Sequence, residues 1–433
     1  MLDSELYNRE IEYIFNQFPS YQKVGKVAYK PGIESMMAFD NALGNPHKKF
    51  KAIHIAGTNG KGSVSHMLAA VLQKTGARVG LYTSPHLIDF RERIKINGEM
   101  ISKEAVLDFL VKWKPFINEN KPSFFEITTA MAFDYFAREK VDVAVIETGL
   151  GGRLDSTNII TPMISIITNI ALDHCEHLGF TLGEIAREKA GIIKPGVPVV
   201  IGEALHSTKP IFLRIADDLG CKVLFAQEYK FKDVKASEYD LDLKGDYQNY
   251  NIRTVLTSLY LLSTNERFKE IHKGNWNDAI IRDALKTAAA TTGLRGRWEY
   301  LCKEPPVLCD TGHNANGLNI VFSQLRAMKS KRLFIIIGFV ADKDLNKILG
   351  FMLDNAYYFI TQAKIPRALD ANILAKRMSG QGLKGEIKPS VEQAIRDYKN
   401  IRQDGDLLFI GGSNFIVAEA IEFFEKNLNF FAE

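Results

Sequence analysis

The sequence predicts an α/β protein: a P-loop, doubly wound, mostly parallel sheet domain followed by a smaller Rossmann-like α/β domain. Three observations predict it. Short apolar runs alternate with amphipathic helical stretches through the first half of the chain, as successive βαβ crossovers require. The first run passes through a glycine-rich turn straight into a helical pattern. The alternation lapses after residue 226 and restarts near 297, which divides the chain into domains 1–295 and 296–433.

The elements follow in order. Residues 50–57 read as a buried strand, and SVSHMLAAVLQKTG after the turn reads as a helix closed by Gly76. Further strands are predicted at 78–83, 141–148, 163–170, 197–201 and 222–226, with helices at 104–117, 128–140, 182–192 and 210–219. Thr181 and Glu184 have the spacing of a capping box, in which each residue satisfies a backbone N–H of the other. Between 227 and 296 the polar, turn-prone sequence holds one convincing helix, 250–262. RWEYL, PVLCDTG, KRLFIIIGF, AYYFIT and DLLFIGG then supply strands, and FIVAEAIEFFEK ends the chain's helical pattern. Ligands of such sheets lie at the carboxyl ends of the strands.

Length and charge exclude several classes. The 433 residues suit two or three domains at roughly 150 residues each. Lys plus Arg number 55 and Asp plus Glu 51, a net charge of +4, too balanced for an electrostatic nucleic-acid binder. Anionic small molecules fit better. Cys175, Cys221, Cys302 and Cys309 show no metal or disulfide spacing and read as reduced thiols, hence a cytoplasmic location. The acidic start MLDSELYNREIEYIF lacks the basic region and apolar run of a signal peptide, and no apolar run approaches the ~20 residues that span a bilayer.

The strongest local signal is Gly57-Thr58-Asn59-Gly60-Lys61-Gly62-Ser63. Its glycines let backbone N–H groups turn inward, Lys61 adds a cation, and Ser63 can offer a hydroxyl to Mg²⁺. The alternative is a flexible glycine turn, since Gly62 separates the lysine from the serine. Ser84, Glu147 and His174 each follow or end a predicted strand on the same rim, where together they could ligate a divalent metal. Mg²⁺ prefers oxygen, which makes the histidine unusual; singly, the three also read as a turn hydroxyl, a surface acid and a helix-cap or core histidine. Lys189 lies among apolar neighbours. It either snorkels to solvent or is buried as a neutral amine able to form a carbamate with CO₂. Asp310 and His313 end a strand of the second block, where the competing reading is an Asx-turn and an N-cap. Gly411-Gly412-Ser413-Asn414 repeats the strand, turn and helix pattern.

Taken together these pieces resemble folylpolyglutamate synthase and dihydrofolate synthase, the folate branch of the Mur ligase superfamily. The resemblance rests on GTNGKGS (57–63), TSPHL (83–87), RERIKINGEMIS (91–102), FFEITTAMAF (124–133), ETGLGGRLDSTN (147–158), LDHCEHLG (172–179) and EKAGIIKPG (188–196). It continues with GDYQNYN (245–251), GRW (296–298), DTGHNANGL (310–318), DKD (342–344) and GGSNF (411–415), spanning nearly the whole chain in order.

The resemblance implies that Gly57 to Ser63 cradle ATP phosphates, that Ser84, Glu147 and His174 hold metal, and that Lys189 is the carbamylated lysine. It implies nucleotide contacts for Asn251 and Arg297, and a role for Asp310 and His313 facing ATP and the incoming glutamate. Phe125 and Asp155 match pterin-binding positions of bifunctional members, and Ser413 is expected at the substrate. Two departures stand out: the family's Asp-Gly-Ala-His-Asn-Pro reads Asp310-Thr311-Gly312-His313-Asn314-Ala315, and its His-Gln pair reads Tyr247-Gln248. Altered turn geometry rather than lost activity is expected.

The implied reaction joins L-glutamate to dihydropteroate or to the γ-carboxylate of reduced folates, through an acyl phosphate made from ATP, with one or two Mg²⁺ ions. The alternatives are a folylpolyglutamate synthase alone or another Mur-type amino acid ligase. Lys61, Lys189, Asp310 and His313 are the expected catalytic residues. Closure about a hinge near residues 293–296 would exclude water from the acyl phosphate. A GTPase reading fails for want of an N-K-x-D element, and a peptidoglycan ligase would carry a UDP-sugar domain where only 56 residues precede Gly57. Expected partners are small molecules, with no nucleic acid, no membrane, and a monomeric chain.

Overall fold

The computed structural model describes residues 4–18, 32–272, 274–428 and 430–431. The chain forms two compact units. The first holds the residues up to Asp242 together with Tyr247–Leu294; the second holds Leu243–Asp246 and Arg295–Glu433. The main division thus follows Leu294, and residues 243–246 group with the second unit.

In the first unit α1 (Ser4–Gln17) and α2 (Glu34–Ala42) precede β1 (Lys51–Ala56), and α3 (Lys61–Lys74) leaves the glycine turn. There follow β2 (Val79–Tyr82), β3 (Ile94–Ile96), β4 (Glu99–Met100), α4 (Lys103–Asn120), α5 (Phe124–Arg138) and β5 (Val143–Glu147). Next come β6 (Ile164–Ile167), α6 (Cys175–Leu178), α7 (Leu182–Ala190), β7 (Val199–Ile201), α8 (Lys209–Asp218) and β8 (Val223–Phe225). Four helices finish the unit: α9 (Gln248–Ser263), α10 (Glu266–His272), α11 (Asp278–Leu285) and α12 (Ala288–Thr292).

The eight strands lie in the order β4-β3-β2-β5-β1-β6-β7-β8. All neighbours from β2 to β8 are parallel, while β3 pairs antiparallel with both β2 and β4. A parallel sheet needs apolar cover on both faces. One cluster gathers Phe39, Phe109, Phe133 and Phe136; another gathers Ile167, Ile185, Ile201 and Phe212. Each such buried side chain contributes about 1.5–3 kcal/mol.

The second unit contains β9 (Glu299–Cys302), β10 (Val307–Asp310), α13 (Ala315–Ala327), β11 (Leu333–Ile337), α14 (Leu345–Leu349), β12 (Ala356–Ile360), α15 (Ala371–Ser379), β13 (Lys384–Ile387), α16 (Val391–Ile401), β14 (Leu407–Gly411) and α17 (Asn414–Lys426). Its sheet runs β13-β12-β11-β14-β10-β9, parallel except for β9. Inserting β14 between β10 and β11 puts the strand-order reversal beside the carboxyl end of β10, where Asp310 sits.

Several boundaries differ from the sequence reading. The helix predicted at 128–140 begins at Phe124, because Ser123 and Glu126 form a capping box. The helix at 104–117 extends to Asn120 with Pro115 inside it. The β3–β4 hairpin was not predicted; its turn is Asn97-Gly98, both at positive φ, the pairing that a tight hairpin turn favours. The capping box of Thr181 and Glu184 forms as expected. Among the described residues, no helix is long and apolar enough to cross a membrane.

Candidate active site

The glycine turn joins the end of β1 to α3 and is braced from below by residues after β6. Thr58 N donates to Asn169 O at 3.0 Å, and Asn59 N donates to Asn169 Oδ1 at 2.8 Å. The Thr58 hydroxyl contacts both the O and the N of Ala171. Gly60 has φ +84°, and a Cβ there would stand 2.3 Å from Asn251 Oδ1. Glycine is required on both counts. Asn251 Nδ2 donates to Gln248 Oε1 at 2.7 Å, and Gln248 Nε2 donates to Ser63 Oγ at 3.2 Å. Helix α9 thus fixes the loop hydroxyl through two fully or nearly buried amides.

Two lysines converge on one carbonyl. Lys61 Nζ lies 3.1 Å and Lys189 Nζ 2.8 Å from Gly57 O. Lys189, in the last turn of α7, is 4% exposed, so it is buried rather than snorkelling. Burial, with the charge of Lys61, lowers its pKa to about 7 against the opposing pull of Asp173 and Asp155. A neutral amine is therefore accessible near neutral pH.

Glu147 ends β5 beside Ile55 of β1 and is buried. Its Oε2 accepts from Ser84 N at 3.2 Å, so two of the three expected metal ligands meet directly. His174 occupies a left-handed position before α6, and Asp173 Oδ1 accepts from its backbone N–H. Among the described residues, no group of three or more His, Cys, Asp or Glu side chains is assembled for a metal. A carboxylate, a hydroxyl and an imidazole nevertheless suit a hydrated divalent ion that takes few protein ligands. Beneath the Ser84 loop, Arg93 is 3% exposed; its Nε donates to His86 Nδ1 at 2.8 Å and its guanidinium lies over the Phe124 ring.

Phe125 and Asp155 meet at one point. The half-buried Phe125 ring lies where a Cβ on Gly149 would come within 2.5 Å of it. Asp155 Oδ2 accepts from Gly149 N at 2.9 Å and Leu150 N at 2.8 Å, while Oδ1 accepts from the N and the hydroxyl of Thr157. Burial raises its pKa and these bonds oppose the rise. Because the Thr157 hydroxyl donates to Asp155, it accepts from His54 Nε2 at 2.8 Å; burial takes that histidine's pKa down to about 3, so it is neutral. Asp155 holds the glycine loop 149–152 with both oxygens engaged.

In the second unit, Asp310 is 2% exposed. Its Oδ2 accepts from Trp298 N at 2.8 Å and its Oδ1 from Gly312 N at 2.7 Å. Trp298 has φ +49°, so the carboxylate holds a strained backbone next to Arg297. Arg297 Nη1 donates to Gly296 O, and His313 Nδ1 lies 3.1 Å from Thr311 O, so that nitrogen carries the proton. Asn314 caps α13, and the buried Ser413 caps α17. The Asx-turn and the N-cap are both present.

Comparison with known proteins extends the pattern. Residues 55–257 match the Mur ligase middle domain and residues 296–414 the glutamate ligase domain of Mur ligases. A dihydrofolate synthase/folylpolyglutamate synthase of Bacillus subtilis is 36% identical over 73% of this chain and 77% of its own length. The chain belongs to the folylpolyglutamate synthase and dihydrofolate synthase family. A probable bifunctional folylpolyglutamate synthase/dihydropteroate synthase of Haloferax volcanii is 31% identical over 96% of the chain, which spans about half (50%) of that relative's length. The solved Mycobacterium tuberculosis folylpolyglutamate synthase complexed with ADP superposes with a TM-score of 0.83 at 27% identity, covering 98% of this chain and 99% of that one.

Within this family frame, sequence reasoning missed Asn169, Gln248, His54 and Arg93. Asn169 stands at a strand's carboxyl end, a signal the topology offered. Gln248 was visible as half of the altered Tyr247-Gln248 pair. His54 and Arg93 had no local signal, because their roles depend on burial by distant segments.

Proposed function

We propose that the chain is an ATP-dependent ligase that joins L-glutamate to the carboxylate of dihydropteroate, and to the γ-carboxylate of reduced folates. The observation that carries this reading is the glycine turn with Lys61 and the buried Lys189 on one carbonyl, in a chain that matches both Mur ligase domains. The activity named for the Bacillus subtilis relative supports it, as does the solved structure of a related bifunctional folylpolyglutamate synthase/dihydrofolate synthase with Mn, AMPPNP and L-glutamate bound.

A carboxylate resists amine attack because oxide is a poor leaving group. The acceptor carboxylate oxygen attacks the γ-phosphorus of ATP, and the bond to ADP breaks. The α-amine of glutamate then attacks the acyl carbon, loses a proton, and phosphate departs with one former carboxylate oxygen. Gly57, Thr58, Asn59, Gly60, Gly62 and Ser63 would hold the phosphates through backbone N–H groups and the α3 terminus. Lys61 would leave its loop carbonyls to neutralise charge on the transferred group.

A divalent metal, when bound, adds positive charge at the phosphate oxygens; Ser84, Glu147 and His174 would hold it. Lys189, neutral in part of the molecules near pH 7, would add its amine to CO₂ and release a proton, giving a carbamate that supplies oxygens beside that site. Asn251 and Arg297 would contact nucleotide, while Asp310, His313 and Ser413 would serve glutamate and ATP. Phe125 would stack on the pterin. Asp155, whose oxygens hold the backbone of residues 149–157, would shape the wall beside Phe125.

Purified protein with Mg²⁺ and ATP should release ADP in the presence of glutamate and either dihydropteroate or tetrahydrofolate. Release with tetrahydrofolate alone would select the narrower alternative of folylpolyglutamate synthesis; no glutamate-dependent release with either would refute the function. We further propose a cytoplasmic, monomeric enzyme, for which elution at the mass of one chain is the check.

A further inference from the structure

Helix α12 lies at the end of the first unit, and each of its termini is gripped by a different segment. Asp242 Oδ2 accepts from Ala289 N at 2.8 Å and Ala290 N at 3.1 Å. Lys95 Nζ, from β3, donates to Thr292 O at 2.8 Å and Gly293 O at 3.0 Å. A carboxylate at the amino end and an ammonium at the carboxyl end both complement the helix's exposed N–H and C=O groups. Lys95 is 4% exposed, an unusual position for lysine that its two carbonyl partners satisfy.

A third grip comes from the helix that follows the phosphate loop. His66 Nδ1 of α3 lies 2.7 Å from Thr292 Oγ1. That hydroxyl donates to Ala288 O, so it accepts from His66. The turn of the hairpin also abuts this site: a Cβ on Gly98 would come within 2.1 Å of Thr291 O.

The position of this clasp matters. Asp242 and Leu294 are the last first-unit residues before two of the points where the chain passes to the second unit. One short helix thus binds both departures, and it is held by the strand below the Ser84 loop and by the phosphate-loop helix. Arg93 immediately precedes β3, two residues before Lys95 of that strand. Arg93 fixes His86 and Lys95 fixes α12.

We propose that Lys95, His66 and Asp242 are positioning residues that transmit occupancy of the phosphate loop to the segments leading into the second unit, with the last turn of α12 as the coupled element. The proposal rests on the ligase reading for its use in turnover, but the coupling itself does not require it.

The test is amide exchange at Gly293 and Leu294, whose N–H groups bond Ala289 O, with and without Mg²⁺ and a non-hydrolysable ATP analogue. Nucleotide should slow exchange in the wild type by about fivefold, the worth of one net hydrogen bond. Thr292→Val keeps the side-chain shape and removes the acceptor of His66; it should lose the slowing while its analogue Kd stays within about twofold. Its glutamate-dependent ADP release should fall in kcat rather than in the ATP KM. Lys95→Met should behave likewise, and if it does not fold, Thr292→Val decides alone. Equal slowing in wild type and Thr292→Val, or none in the wild type, overturns the proposal. Failure of the wild type to release ADP would instead defeat the ligase reading and leave the exchange result to decide the coupling.

Discussion

Burial of Lys189 has a thermodynamic signature that replacing it with methionine should remove. Its pKa is about 7 in the fold against the usual 10.5, so the unfolded chain binds more protons than the folded one between those values. Stability from this group therefore rises with pH across that window, and its burden is heaviest below pH 7. A shift from 10.5 to 7 corresponds to about 5 kcal/mol of differential interaction, of which about 2 kcal/mol is relieved between pH 7 and 9. Lys189→Met conserves length and apolar packing, and Gly57 O keeps Lys61 as a donor. In urea titrations without nucleotide and under CO₂-free buffer, the wild type should gain about 2 kcal/mol relative to the variant from pH 7 to 9. The variant should be the more stable protein at pH 6 and the less active one throughout. Parallel pH profiles for the two proteins would refute the buried-amine argument. Bicarbonate should raise the midpoint of the wild type and leave the variant unchanged, because only the lysine can trap CO₂.

Three further outcomes follow from the same geometry. Lys61→Ala should abolish glutamate-dependent ADP release with either acceptor while leaving the urea midpoint nearly unchanged, checked by coupled assay and denaturation side by side. Gly60→Ala places a Cβ 2.3 Å from Asn251 Oδ1 at φ +84°; strain of about 1–2 kcal/mol should lower stability, and calorimetry should show weakened nucleotide binding. Asp155→Asn sets an amide N–H₂ against donors on whichever side it faces, so it should destabilise the fold by about 2–3 kcal/mol. A residue that met substrate alone would leave the denaturation curve unmoved.

The fold was legible where periodicity and punctuation are local. The strand, glycine turn and helix around Lys61, and the capping box at Thr181, depend on neighbours in sequence, and both form. The start of α5 was displaced because the 128–140 pattern was read from its apolar face, while Ser123 and Glu126 carry the actual terminus. Hairpin β3–β4 was hidden within a motif read for resemblance, although Asn97-Gly98 marks a tight turn. Edge strand β13 is exposed along its whole length, so it lacks the apolar signature of the central strands.

Within the candidate site, residue types were readable and environments were not. Spacing could nominate Lys189, but its burial arises from packing between α7 and the glycine turn. Asp155 was nominated for substrate by resemblance, and spacing gave no sign of the four donors from residues 149–157 that engage it. His54 and Lys95 sit on strands as polar residues among apolar ones, a pattern that flags burial but names no partner.

Transfer of the γ-phosphoryl group to the acceptor carboxylate is the step on which the proposed ligase chemistry depends. Dihydropteroate or tetrahydrofolate labelled with heavy oxygen in the reacting carboxylate should be turned over with ATP and glutamate, and the released phosphate analysed by mass spectrometry. One labelled oxygen per phosphate is the expected result. Phosphate that carries no label while the amide product accumulates would contradict it.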